Sequence, residues 1–210
     1  MRRLPSLLLC LLPCLSAAAE PDAGALVAGL ERALPARTAY TEVRFAQMFD
    51  RPLVVRGELE YLGPGKLGKR VDAPYREMTT IADGQVSVQR GERAPRVIAL
   101  SQIPELEGFL RGFSALLGGD TAALARDFDA TTSGSAARWH LSLTPKDARL
   151  RRHVASIEVD GSASAARCFS ILDADGDARI MLVEALASAQ LPKPLTRHNV
   201  EVVCRSAGNP

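Results

Sequence analysis

The stretch YTEVRFAQMFDRPLVVRGELEY, Tyr40 to Tyr61, decides the fold class. Val43, Phe45 and Phe49 fall on odd positions, and Glu42 and Arg44 alternate with them. After Asp50-Arg51-Pro52, Val55, Gly57, Leu59 and Tyr61 alternate with Arg56, Glu58 and Glu60. A period of two puts successive side chains on opposite faces of a strand. The stretch therefore predicts two half-buried antiparallel strands, Tyr40 to Phe49 and Val54 to Tyr61, with a turn at Asp50–Pro52. The apolar set of each strand is expected to face the core, and the charges to face solvent.

The same pattern extends outward. Gly63-Pro64-Gly65 reads as a loop, and Asp83-Gly84 as the type I′ turn of a hairpin with arms Tyr75 to Ala82 and Gln85 to Arg90. Arg96 to Leu100 is a further short strand. Upstream, Leu26, Leu30 and Leu34 recur every four residues, which predicts a helix from Asp22, its cap, to Leu34, with Pro35 as its stop. A longer helical stripe runs through Ile103, Leu106, Phe109, Leu110, Phe113, Leu116 and Leu117 and stops at Gly118-Gly119. Asp120 can cap a short helix over Thr121 to Arg126. Strands resume at Trp139 to Leu143, and one helical turn fits Asp147 to His153. Ala155, Ile157 and Val159 then alternate before a turn at Gly161-Ser162. A hairpin has arms Arg167 to Leu172 and Arg179 to Glu184, and Asn199 to Cys204 reads as a last strand. The expected class is α+β, mainly β: a strongly curved antiparallel sheet forming an incompletely closed barrel, with helices over its concave face.

The chain has 210 residues, 47% hydrophobic and 24% charged, which fits a globular protein and excludes a disordered one. A net charge of +2 excludes the electrostatic footprint of nucleic-acid binding. Residues 1–19, MRRLPSLLLCLLPCLSAAA, read as a secretory signal peptide. Arg2 and Arg3 precede a short apolar run, and Ala17-Ala18-Ala19 supplies the small residues for cleavage. The run is shorter than the roughly 20 residues a membrane-spanning helix needs. Residues 20–210 are then expected to form one exported domain. Removal of the signal takes Cys10 and Cys14, leaving Cys168 and Cys204. In an oxidising compartment these two can pair, or stand as two separate buried thiols; a Cys168–Cys204 disulfide is the expectation tested below.

Catalytic and metal patterns are weak. Asp173, Asp175 and Asp177 around Gly176, with Glu184 at the twelfth position, imitate a calcium loop, but Ile180 to Val183 reads as strand. A hairpin turn is the better reading. His140, His153 and His198 have no ligand-type neighbour at i+2 or i+4. Ser114 sits inside a helical stripe and lacks the glycine frame of a nucleophile elbow. No metal, cofactor or catalytic residue is expected, and the chain does not read as an enzyme.

Several local patterns resemble the family of the periplasmic lipoprotein carrier LolA, over nearly all of the exported chain. Phe45-Ala46-Gln47 follows an early amphipathic helix. Gly57-Glu58-Leu59-Glu60-Tyr61 is followed by Pro64, and Pro74 by Ile81-Ala82-Asp83-Gly84. Leu143-Thr144-Pro145-Lys146 completes the series. The resemblance implies an eleven-stranded open barrel with a helical lid over an apolar cavity. It also implies a periplasmic monomer that takes acylated lipoproteins, or another lipid cargo, from an inner-membrane transporter to an outer-membrane acceptor. On this reading Val43, Phe45, Phe49, Val55, Leu59, Tyr61 and Trp139 are the cavity wall. Leu106, Phe109, Leu110, Phe113 and Leu117 are the lid. The alternative is a periplasmic sensor or interaction domain on the same scaffold. One position departs from the resemblance: family carriers often place a lid-bonding arginine just before the proline of the second-strand turn, and here that position is Gly63. Lys66, Lys69 and Arg70 are the nearby cations that can replace it.

Overall fold

A computed structural model describes residues 21–206. Residues 1–19, read from the sequence as a signal peptide, lie outside them. The element order is α1 (Ala23–Gly29), β1 (Ala36–Phe45), β2 (Leu53–Gly63), β3 (Lys66–Ala73), β4 (Glu77–Ala82), β5 (Gln85–Arg90), β6 (Arg96–Ala99), α2 (Pro104–Leu117) and α3 (Thr121–Asp127). It continues with β7 (Phe128–Ser135), β8 (Arg138–Pro145), β9 (Val154–Ser162), β10 (Ala165–Asp173), β11 (Ala178–Val183) and α4 (Arg197–Arg205). Asp22 and Asp120 cap α1 and α3, their side chains accepting from the N–H of Ala25 and Ala123. The first helix is shorter than its leucine stripe, because the chain leaves helical geometry after Leu30.

All eleven strands form one antiparallel sheet in the order β6-β5-β4-β3-β2-β1-β11-β10-β9-β8-β7. The two halves of the chain meet where β1 pairs with β11, Val43 opposite Ile180. Strands β6 and β7 remain as edges, so the curved sheet does not close. Asp83 and Gly84 both have positive φ, as the type I′ turn requires.

The sheet is covered on both faces. Its inner face packs against α1, α2 and α3 in a large core that includes Val55, Leu59, Tyr61, Leu110, Phe113, Trp139, Leu141 and Leu143. A smaller core of Val43, Cys168, Ile180, Leu182, Leu186, Val200 and Cys204 lies on the outer face, under α4. Asn199–Cys204 is thus part of a helix, not a strand. Val200 and Cys204 are four residues apart and both buried, and Thr196 caps the helix through the N–H of Asn199. The disulfide joins β10 to this helix, with Cα atoms 5.7 Å apart and a sequence separation of 36 between the partners. Closing a loop of that size is worth about 3–4 kcal/mol on a chain-entropy account.

Two strands have no counterpart in the sequence reading. In β3 the inward series is Leu67, Lys69, Val71, so a lysine interrupts the apolar alternation. In β7 only Phe128 is fully buried, because the strand is an edge.

Candidate functional site

Helix α2 lies against the inner face by close approach at glycine. A Cβ on Gly108 would stand 2.3 Å from the Leu150 side chain, and one on Gly112 would stand 3.0 Å from Phe128. That contact turns Phe109 and Phe113 toward the sheet. Phe113 stacks on Phe109 with centroids 5.3 Å apart, and meets Phe169 of β10 edge-on at 5.2 Å and Tyr61 of β2 at 6.4 Å. The stack walls a cavity of about 290 Å³, lined mainly by Leu59, Leu67, Ile81, Ile103, Leu106, Phe109, Phe113, Val154, Phe169, Ile171 and Met181. A second cavity of about 150 Å³ lies beyond, near Arg32, Arg37, Leu117 and Val183. Leu59, Leu67, Phe113 and Phe169 line both and form the partition between them.

The helix is tied to the β2–β3 turn through Ser114. The Tyr61 hydroxyl donates to the Ser114 carbonyl at 3.1 Å, and the Gly65 N–H donates to Ser114 Oγ at 3.4 Å. Gly63 takes no part. Its φ of +123° disfavours side chains, so an arginine there would strain the turn. Lys66 lies near Asp83, Lys69 binds Glu42 and Arg70 faces Glu58 and Asp72, so none of the three takes the arginine's role.

The sequence-derived wall divides. Leu59 lines both cavities, Tyr61 and Leu117 line the smaller one, and Leu106, Phe109 and Phe113 line the larger. Val55, Leu110 and Trp139 are buried in the inner core around them. Val43 and Phe45 belong to the other face, packed with Ile180, Leu182 and Val200 under α4. Phe49 lies past the end of β1 and is 39% exposed. The sequence placed Val43 and Phe45 together correctly but on the wrong face. Strand β1 is buried on both faces from Tyr40 to Val43, and alternation cannot tell which face holds the cavity.

The inward face of β1 therefore carries Tyr40, Glu42 and Arg44. Glu42 lines the larger cavity with a side chain only 3% exposed. It accepts from Arg44 Nε at 2.7 Å and from Lys69 of β3. Burial alone would raise the Glu42 pKa, but Lys69 and Arg44 overcome it and hold the carboxyl below its ordinary value. Burial pushes Lys69 down, and the neighbouring Arg44 and Arg179 push the same way, against the pull of Glu42. The Lys69 ammonium lies 5.1 Å from the centre of the Tyr40 ring. These charges escaped the sequence reading because charged residues on a half-buried strand ordinarily face water.

Elsewhere, His140 of β8 bridges two carboxylates of β9, Glu158 at 2.7 Å and Asp160 at 2.9 Å, and Arg205 of α4 reaches Asp160 at 3.2 Å. The partners of His140 come from cross-strand register, Asp160 lying directly opposite, which spacing along the chain cannot reveal. Asp173 pairs with Arg179 at 2.6 Å, and Asp177 accepts from the Gln47 N–H, so the aspartate turn is a hairpin held by protein groups. Among the described residues no group of three His, Cys, Asp or Glu is placed to hold a metal ion.

A curved open sheet, a helix across its inner face and an apolar cavity between them make a half-barrel of the LolA-like class. Residues 15–206 match the family described as outer membrane lipoprotein carrier protein LolA-like, and the chain belongs to that family. Among solved structures, it is similar to a LolA superfamily protein, NE2245, from Nitrosomonas europaea: 12% identity, 86% of this chain and 99% of that one, TM-score 0.42. It is also similar to a chain of the MucA/MucB complex of Pseudomonas aeruginosa: 16% identity, 78% of this chain and 56% of that one, TM-score 0.40. A crystal structure of MucB gives 12% identity, 81% and 59% coverage, and a TM-score of 0.38. No curated protein matches the chain. Among the described residues no helix is long and apolar enough to cross a membrane.

Proposed function

We propose that this protein is a non-enzymatic periplasmic carrier that shields the acyl chains of a lipoprotein or related lipid between an inner-membrane donor and an outer-membrane acceptor. The observation that carries the reading is the cavity of about 290 Å³ between α2 and the sheet, walled by Phe109, Phe113, Phe169 and aliphatic side chains. Each methylene moved from water into such a wall gains about 0.8 kcal/mol, so an acyl chain is held without any directional bond. The cavity sits at the small end of ligand sites, which run from about 300 Å³ upward, so a long chain enters as α2 yields. The two bonds to Ser114 are the contacts such a movement breaks. The signal segment at residues 1–19 and membership of the carrier family support a periplasmic location.

The test is isolation of the tagged protein from cell envelope without detergent, followed by mass spectrometry of what accompanies it. Acylated species in near-stoichiometric amount are expected. A single protein partner with no lipid would overturn the carrier reading in favour of an interaction domain.

A further inference from the structure

The cavity is not uniformly apolar. One end is built from charged groups on three of four consecutive strands, β11, β1 and β3, with β2 between β1 and β3. Glu42 and Lys69 line it, Arg44 binds Glu42, and Arg179 lines it from β11. Thr79 of β4, directly opposite Lys69 in the sheet, lines the same end. Arg179 is balanced by Asp173, with its guanidinium 2.6 and 2.8 Å from the two carboxylate oxygens. Glu42 is one carboxylate between two cations, Arg44 and Lys69. The group thus carries one positive charge in excess, beside a wall of aliphatic and aromatic carbon.

A site for hydrocarbon alone gains nothing from this arrangement. Buried ion pairs seldom stabilise a protein relative to apolar residues of the same shape, because both partners lose their hydration. An excess cation is costlier still unless something else supplies the balancing charge. Lys69 is suited to that task. It has three N–H donors, Glu42 accounts for one partner, and its side chain remains 22% accessible. The aromatic stack of Phe109, Phe113 and Phe169 lines the same cavity, so a molecule with its polar end at Lys69 finds its apolar surroundings there.

We propose that the cavity selects an amphiphile with a single anionic head, a carboxylate or a phosphate on an acyl chain, its head against Lys69 and Thr79 and its tail along Phe109, Phe113 and Phe169. This rests on the carrier reading and names the chemistry of its cargo. Arg44 keeps Glu42 paired when the head arrives, so the ligand adds its charge to the free side of Lys69 without displacing the carboxylate.

The experiment compares parinaric acid with its methyl ester, two fluorescent chains identical except for the head, with hexadecyl phosphate as competitor. The acid is expected to bind about tenfold or more tightly than the ester, the size of a charge-assisted hydrogen bond. Competition by hexadecyl phosphate stronger than by hexadecanoic acid assigns the site to a phosphate head, and the reverse order to a carboxylate. Lys69→Met leaves the Glu42–Arg44 pair neutral and should collapse the acid-to-ester ratio toward one while ester binding persists. Lys69→Arg should keep the ratio. Equal binding of acid and ester by the wild type overturns the inference and leaves the carrier reading intact, whatever the folding of the variants. Failure of all four chains to bind overturns the carrier reading itself.

Discussion

Phe113 is the side chain on which the lid and the partition both depend, and Phe113→Ala tests the two roles at once. Its ring is 4% exposed and touches Phe109, Phe169 and Tyr61. Truncating a buried phenylalanine costs about 3–5 kcal/mol, part of it the lost transfer free energy and part the void left behind. Each aromatic pair adds about 0.5–1.5 kcal/mol beyond its buried area, so the upper half of that range applies here. For a domain of this length, 1 kcal/mol moves Tm by roughly 2–4 °C, giving a fall of about 8–20 °C. Ligand binding should move the other way. Phe113 stands between the two cavities, so its removal joins them and lengthens the chain they accept. Binding of saturated fatty acids from eight to eighteen carbons, measured by displacement of an apolar fluorescent probe, should show the optimum shifting to longer chains in Phe113→Ala. A variant that melts like the wild type would mean Phe113 is not packed as described. An unchanged chain-length optimum with the expected loss of stability would refute the partition.

Further outcomes follow from the same contacts. Tyr61→Phe keeps the ring contact with Phe113 but removes the hydroxyl bond to Ser114, worth about 1 kcal/mol, so stopped-flow uptake of an apolar probe should quicken about fivefold; an unchanged rate separates this bond from lid opening. Gly108→Ala should undock α2 or force Leu150 aside, at about 1–3 kcal/mol, seen in urea unfolding; full stability would disprove the close approach. His140 has its pKa raised to about 9 by hydrogen bonds to Asp160 and Glu158. Its contribution is therefore complete below its unfolded value of about 6.5 and is lost as pH rises through about 9. Partial exposure discounts that contribution to on the order of 1–2 kcal/mol, and His140→Gln should flatten the loss between pH 7 and 10; parallel curves for the two proteins would remove His140 from the account.

The strands legible in the sequence were those whose solvent face is polar and whose inner face is apolar, such as Val54–Tyr61 and the Asp83-Gly84 hairpin. The α2 stripe was legible for the same reason: its apolar positions recur every three or four residues, and Leu106, Phe109, Phe113 and Leu117 all reach a cavity. Legibility failed where a strand is covered twice or carries its charge inward. Val43 and Phe45 share a face, but α4 covers that face, and α4 itself resembles a strand in sequence, since Val200, Val202 and Cys204 also alternate. Val202 is 51% exposed, which a helix explains and an inward strand face does not. Lys69 and Glu42 belong to the cavity only because β1 and β3 flank β2 in the sheet, a relation between residues 27 positions apart that no local window contains.

The central claim is that an acyl chain lies between α2 and the inner face of the sheet, and photo-crosslinking reads this directly. A fatty acid carrying a diazirine near its methyl end would be irradiated with the purified protein, which is then digested and mapped by mass spectrometry. The account predicts labels on the α2 peptide around Phe109 and Phe113 and on β10 around Phe169 and Ile171, with unlabelled fatty acid suppressing them. Labels confined to the outer face under α4, or spread over exposed side chains such as Met48 and Phe49 without competition, would contradict it.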